Sequence, residues 1–199
     1  MPSKKPQFDP HPGLGMEEAW IARMPEKTGK SLEEWARLLQ AAGLTTEKER
    51  RDWLKKEHGV GTNYATLIAE HSGGKKRMDD YEDGAALVDA MFAGKESLRP
   101  VFDRLLKLAR SLGKDVRACP CKTIVPLYRR HVFAQLKPST KTRLDFGLAL
   151  RDTPVQGRLI DTGGRAKGDR ITHRSAVASS ADIDDELKGW LRKAYEMDA

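Results

Sequence analysis

Apolar residues recur at helical spacing through the first third of the chain. Leu32, Trp35, Leu38 and Leu39 fall on one helical face. Ser31 and Glu34 ahead of them have capping-box spacing, so a helix is predicted to start there, and Gly43 to end it. Thr46 with Glu49 predicts a second capped helix, through Trp53 and Leu54 to about Glu57. Thr62 or Asn63 opens another, carrying Ala65, Leu67, Ile68 and Ala69. An earlier helix is expected from about Met16 to Met24, ending before Pro25.

Beyond residue 80 the period changes. Two helices come first, Gly84 to Phe92 and Glu96 to Leu112, the latter with Pro100 in its first turn. Extended segments then follow at Ile124–Tyr128, Val132–Leu136, Arg143–Arg151 and Ile171–Val177. In the third, Leu144, Phe146, Leu148 and Leu150 alternate with Arg143, Asp145, Gly147, Ala149 and Arg151, as in a strand buried on one face. Val132, Ala134 and Leu136 alternate likewise, and Gly157 to Gly168 reads as a long flexible loop. Asp182 is expected to cap a last helix with Ile183, Leu187, Trp190, Leu191 and Ala194 on one face. The predicted class is α+β. A small all-helical N-terminal domain (16–72) follows a disordered tail (1–15). A linker (73–83) leads to an α+β domain (84–199), with a mainly antiparallel sheet of about four strands packed on helices.

Charge adds a partner class to this outline. The 199 residues carry a net +7, yet residues 122–174 alone hold 12 Lys and Arg against 4 Asp and Glu, a local +8. Clustered cations create a field that anions feel. Residues 1–15 have no apolar run, so neither a signal peptide nor a membrane anchor is expected there, and no stretch has the length of a spanning helix. Cys119 and Cys121 flank Pro120 and are poorly placed to bridge each other; a cytoplasmic location is the default.

Several runs of residues also carry a resemblance. Lys27-Thr28-Gly29-Lys30-Ser31, Trp35, Gly43-Leu44, Trp53-Leu54-Lys55 and His58-Gly59-Val60-Gly61 with Tyr64-Ala65 resemble a helical domain common in bacterial proteins, the domain of unknown function numbered 4287. The second half resembles the one numbered 5655. The matching pieces are Leu98-Arg99-Pro100, Lys122-Thr123, Phe133-Ala134-Gln135, Arg143 to Leu148, Ile171-Thr172-His173-Arg174 and the final helix to Tyr195. Neither resemblance implies a settled activity. The helical family often has His where Thr62 stands, and the second family seldom has cysteine at 119 and 121, so a thiol-based family function is not expected.

The turn Gly59-Val60-Gly61 between two helices, with Ala65 and Ile68 following, also resembles a helix-hairpin-helix. Free N–H groups at such a helix N-terminus suit a phosphate. The second helix offers Thr62 and Asn63 rather than lysines; the nearest cations are Lys55, Lys56, Lys75, Lys76 and Arg77. The competing reading is a helix–helix corner that needs glycine for its backbone. In the second half, Arg129, Arg130, Arg143, Arg151 and Arg174, with Arg158, Arg165, Lys167 and Arg170, make up most of the basic excess. If Arg143 and Arg151 face outward, the open sheet face is cationic and, with Tyr128 or Phe133 nearby, suits single-stranded nucleic acid or a phosphorylated ligand.

Cys119, Cys121, His131 and His173 are the one conceivable metal set, with spacing shorter than zinc sites favour. Asp145, Asp152, Asp161 and Asp169 are spread along strand and loop, and Asp185 to Lys188 sits in a helix start; no catalytic residue, metal or cofactor is expected. The expected function is non-enzymatic binding of an anion or nucleic acid. The alternatives are a protein-interaction or regulatory module, and an enzyme acting on a small phosphorylated or acidic substrate.

Overall fold

The computed structural model describes residues 7–74, 81 and 83–199. Lys75, Lys76 and Arg77, and most of the expected linker, lie outside them. The chain forms two compact units. One is Pro12–Glu82; the other is Asp83–Ala199 together with the described residues before Pro12.

Among its described residues the first unit holds four α-helices: α1 (Pro12–Thr28), α2 (Leu32–Ala41), α3 (Glu47–His58) and α4 (Thr62–Ser72). Both predicted capping boxes form. Ser31 accepts from the Glu34 N–H and Thr46 from the Glu49 N–H, and each glutamate returns the bond. Met24, Trp35, Leu39, Leu54, Val60, Ala65, Leu67 and Ile68 make the core. The Trp35 indole donates to Thr28 Oγ1 (2.8 Å) and meets the His58 ring edge-on, while His71 bonds Glu17 (2.8 Å) and ties α4 to α1. The first helix departs from expectation at both ends. It starts at Pro12, which suits a first helical turn, and it runs through Pro25. A single proline removes one N–H from the ladder, and the burial of Met24 beside it holds the helix together to Thr28.

The second unit is α+β. Helices α5 (Gly84–Phe92) and α6 (Arg99–Arg110) precede strands β1 (Arg117–Ala118), β2 (Val125–Tyr128), β3 (Val132–Pro138), β4 (Leu144–Leu148), β5 (Ile160–Asp161) and β6 (His173–Val177), and α7 (Asp185–Glu196) closes the chain. The sheet is antiparallel throughout, in the order β1-β2-β3-β4-β6-β5. It has six strands, not four, because the two edge strands are two residues long and too short to show alternation. One of them, β5, lies inside the segment expected to be loop.

One sheet face, with Val125, Leu127, Leu136, Phe146 and Leu148, packs in a single core with Phe102, Leu105, Leu187 and Leu191 of α6 and α7. Phe8 joins this core, and the Asp9 carboxylate accepts from the Ala118 N–H (2.8 Å) and pairs with Arg110. The expected disorder through Gly15 therefore does not hold for these residues or for the first turn of α1.

Three further differences follow, of which the first two bear on the open face. Between Leu127 and Tyr128 the β2–β3 register shifts, so Phe133 is an extra residue and turns into the core. Val132 consequently shares the open face with Tyr128, not the core face with Ala134. Strand β4 ends at Leu148: the Leu150 N–H leaves the ladder for Thr172 Oγ1, and Arg151 has φ +51°, a left-handed turn conformation rather than a strand one. Finally, α7 is capped by Asp184, whose carboxylate accepts from the Leu187 N–H, while Asp182 caps a short 3-10 turn with Ser179.

Candidate functional site

Five arginines of 122–174 fall into two groups. Arg129, Arg151 and Arg170 gather at the C-terminal end of α7. Arg129 donates to the Tyr195 carbonyl (3.1 Å), lies 4.2 Å from that residue's ring centroid and pairs with Asp115; Arg151 donates to the Met197 carbonyl (2.9 Å). Arg170 pairs with Asp198 (2.7 Å), which also accepts from the His131 N–H (2.8 Å). The last carbonyls of a helix lack internal partners and carry the negative end of its dipole. Arg129 and Arg151 thus serve the protein's own negative helix end. Arg158 and Arg165 are likewise paired, with Asp184 and Glu186 and with Asp152. Arg130 is exposed in the β2–β3 turn.

Arg143 and Arg174 form the second group. Both face the open side of the sheet, and both lean on one carboxylate, Asp145 (3.0 and 3.1 Å). The Arg143 contact is an ion pair without hydrogen-bond alignment at Nε. Two cations share one anion, so this spot keeps a net positive charge, with Lys137 exposed on the strand alongside.

Beside them the open face carries a cavity of about 570 Å³. Pro126, Tyr128, Val132 and Gln135 form its floor; Cys121 and Ile124 line one side, and residues of 162–171 the other. Gly147 is required here. A Cβ on it would stand 2.7 Å from Gln135 Cγ and 2.8 Å from Ile171 Cγ2, so the bare backbone lets both side chains lie against the sheet. Ile171, expected to begin a strand, instead lines this cavity. The Tyr128 hydroxyl and the Gln135 amide have no protein hydrogen-bond partner among the described residues. Burial, reinforced by the nearby Cys119 and Cys121, raises the pKa of Tyr128 against the opposing pull of Arg117, keeping the hydroxyl a donor. Arg117 lies over the Tyr128 ring at 5.7 Å.

The thiols are protonated. Burial raises Cys121, and burial followed by the Asp9 carboxylate pushes Cys119 from 9.0 up to about 11. Between those two values the unfolded chain releases the Cys119 proton and the folded chain keeps it, so stability falls as pH rises through this window. Urea unfolding at pH 8 and pH 10 is expected to show that loss, at most about 1.4 kcal/mol per pH unit from this group, with Cys119→Ala removing it. An unchanged slope in the variant would contradict the assignment. His131 is engaged with Asp198, and His173 is buried against Thr172 Oγ1 (2.8 Å), so neither joins the cysteines. Among the described residues no group of three or more His, Cys, Asp or Glu could hold a metal ion.

In the first unit, Gly59 ends α3 at φ +63°, where glycine is favoured. Gly61 is different: its φ of −59° suits any residue, and a Cβ there meets nothing. It precedes α4 without a side-chain cap, and a cavity of about 430 Å³ lined by Trp20, Gly61, Thr62, Asn63 and Tyr64 opens at that end. The rings of Trp20 and Tyr64 are 5.9 Å apart.

Gln135 and Asp198 were not singled out by sequence. Gln135 is the polar member of an alternating strand, a signal shared with any solvated position. Asp198 lies past the last helix, where no periodicity speaks.

The fold is thus a helical unit followed by an α+β unit whose antiparallel sheet packs its helices on one face. The chain belongs to the family described as Domain of unknown function (DUF5655), whose model matches residues 88–198. A second model, Domain of unknown function (DUF4287), matches residues 17–72. No curated protein and no solved structure matches. No helix among the described residues is long and apolar enough to cross a membrane.

Proposed function

We propose that this chain is a non-enzymatic binding protein for an anionic ligand, nucleic acid or another phosphate-bearing molecule, on the open face of the second unit's sheet. The observation that carries the reading is the shared carboxylate: Arg143 and Arg174 divide Asp145 between them and retain positive charge beside a partly apolar cavity. Contacts of this kind neutralise phosphate without reading sequence. The test is titration of a single-stranded oligonucleotide into the full chain at rising salt. Affinity should fall steeply with salt, and the double variant Arg143→Ala, Arg174→Ala should flatten that dependence. Absence of binding even at low salt, or recovery of one stoichiometric protein partner free of nucleic acid, would count against it.

A second reading, an anion held at the start of α4, is favoured by the uncapped N–H groups that follow Gly61 and by the aromatic-lined cavity there. It matches a helix-hairpin-helix role, with Lys55 and Lys56 at the end of α3. Amide shifts at Thr62, Asn63 and Tyr64 on adding inorganic phosphate would support it; shifts confined to the sheet would not.

A further inference from the structure

Pro126, Gln135, Gly147 and Arg174 are successive cross-strand partners in β2, β3, β4 and β6, so their side-chain positions form one row on the open face. Neighbouring strands stand about 4.8 Å apart, which puts Gln135 and Arg174 roughly 10 Å apart along that row. The two ends of the row differ in chemistry. At the cavity end, Ile124, Pro126, Val132 and Ile171 offer apolar walls, and the Gln135 amide offers a donor and an acceptor that no group among the described residues uses. Charge there is unfavourable to phosphate: Arg170 is held by Asp198, and Asp169 contributes a carboxylate to the lining. At the other end are the arginines that share Asp145. A bare anion would ignore the cavity, and a purely apolar ligand would ignore the arginines. A ligand that suits both has a flat neutral part with a hydrogen-bonding edge, joined to a phosphate.

We infer that the cavity takes a single unpaired base of a nucleic-acid strand, its polar edge on Gln135 and Tyr128 and its phosphate toward Arg143 and Arg174. This rests on the anion reading above and adds the base to it. Unstacked bases are held in this manner, by an apolar or aromatic surface below and hydrogen bonds at the edge. A paired duplex hides that edge, so single strands are preferred.

Fluorescence anisotropy on the full chain tests this with three probes of equal length: an oligothymidylate strand, the same strand made abasic, and a duplex. The intact strand is expected to bind about tenfold more tightly than the abasic one and more tightly than the duplex. Gln135→Leu removes the amide, and Gly147→Val pushes a side chain into Gln135 and Ile171; each should erase that preference. Arg174→Ala should weaken every probe. Equal binding of intact and abasic strands, duplex preference, or an undiminished preference in Gln135→Leu overturns the base site and leaves the anion reading standing. No binding of any probe at low salt overturns both. Should Gly147→Val fail to fold, as its circular dichroism would reveal, Gln135→Leu alone decides.

Discussion

Replacing Asp198 with alanine is expected to lower the unfolding free energy of the second unit by about 2–4 kcal/mol. Its side chain is only 3% exposed and collects the His131 N–H, the His131 ring and Arg170. Removing the carboxylate leaves a backbone donor unpaired and the Arg170 guanidinium without its counter-ion. Both partner side chains of Asp198 are partly exposed, so water softens the loss, and the expected value stays below that for a fully buried pair. Urea unfolding measures it. Hydrogen exchange adds a local reading: protection should fall along 162–172, because Arg170 anchors that segment to the chain end. A variant as stable as the parent, with exchange unaltered there, would show that the arginines hold α7 without Asp198.

Trp35→Ala should be at least as damaging, about 3–5 kcal/mol, and confined to the helical unit. Trp35 is 2% exposed, packs edge-on against His58, and anchors its indole N–H to Thr28 at the end of α1. Truncation opens a cavity among α1, α2 and α3 and orphans the Thr28 contact. Trp35→Phe keeps most of the volume and loses the hydrogen bond, so its expected loss is nearer 1 kcal/mol. Thermal unfolding followed by far-ultraviolet circular dichroism should rank the two variants in that order. Equal losses would mean that the hydrogen bond, which both variants remove, and not packing, fixes the tryptophan.

The helices were legible because their signals are local. Ser31 with Glu34, and Thr46 with Glu49, announce capped starts within four residues, and both boxes form. Core strands were legible from alternation, most clearly Leu144, Phe146 and Leu148. What failed depends on distant partners. Nothing near Phe133 in sequence signals the register shift that sends Val132 to the open face. Nothing near Arg151 reveals that its guanidinium meets the Met197 carbonyl, 46 residues away. The candidate site shows the same division. Outward-facing Arg143 and its neighbour Asp145 could be read from period two, but their sharing with Arg174 requires β4 and β6 to pair. A count of basic residues cannot separate cations that meet a helix end, as Arg129 and Arg151 do, from cations that share a carboxylate on the sheet, as Arg143 and Arg174 do.

The two residues ahead of the helical unit have a practical bearing on how the protein can be dissected. Phe8 and Asp9 are sequence-remote parts of the second unit, supplying a ring to its interior and a carboxylate to Ala118 and Arg110. A fragment begun at residue 88, where the family match starts, would retain every strand and yet lack a plug beside Pro120 and the counter-ion of α6. The natural border of that body is therefore discontinuous in sequence, and a truncation faithful to it would graft the leading segment back on.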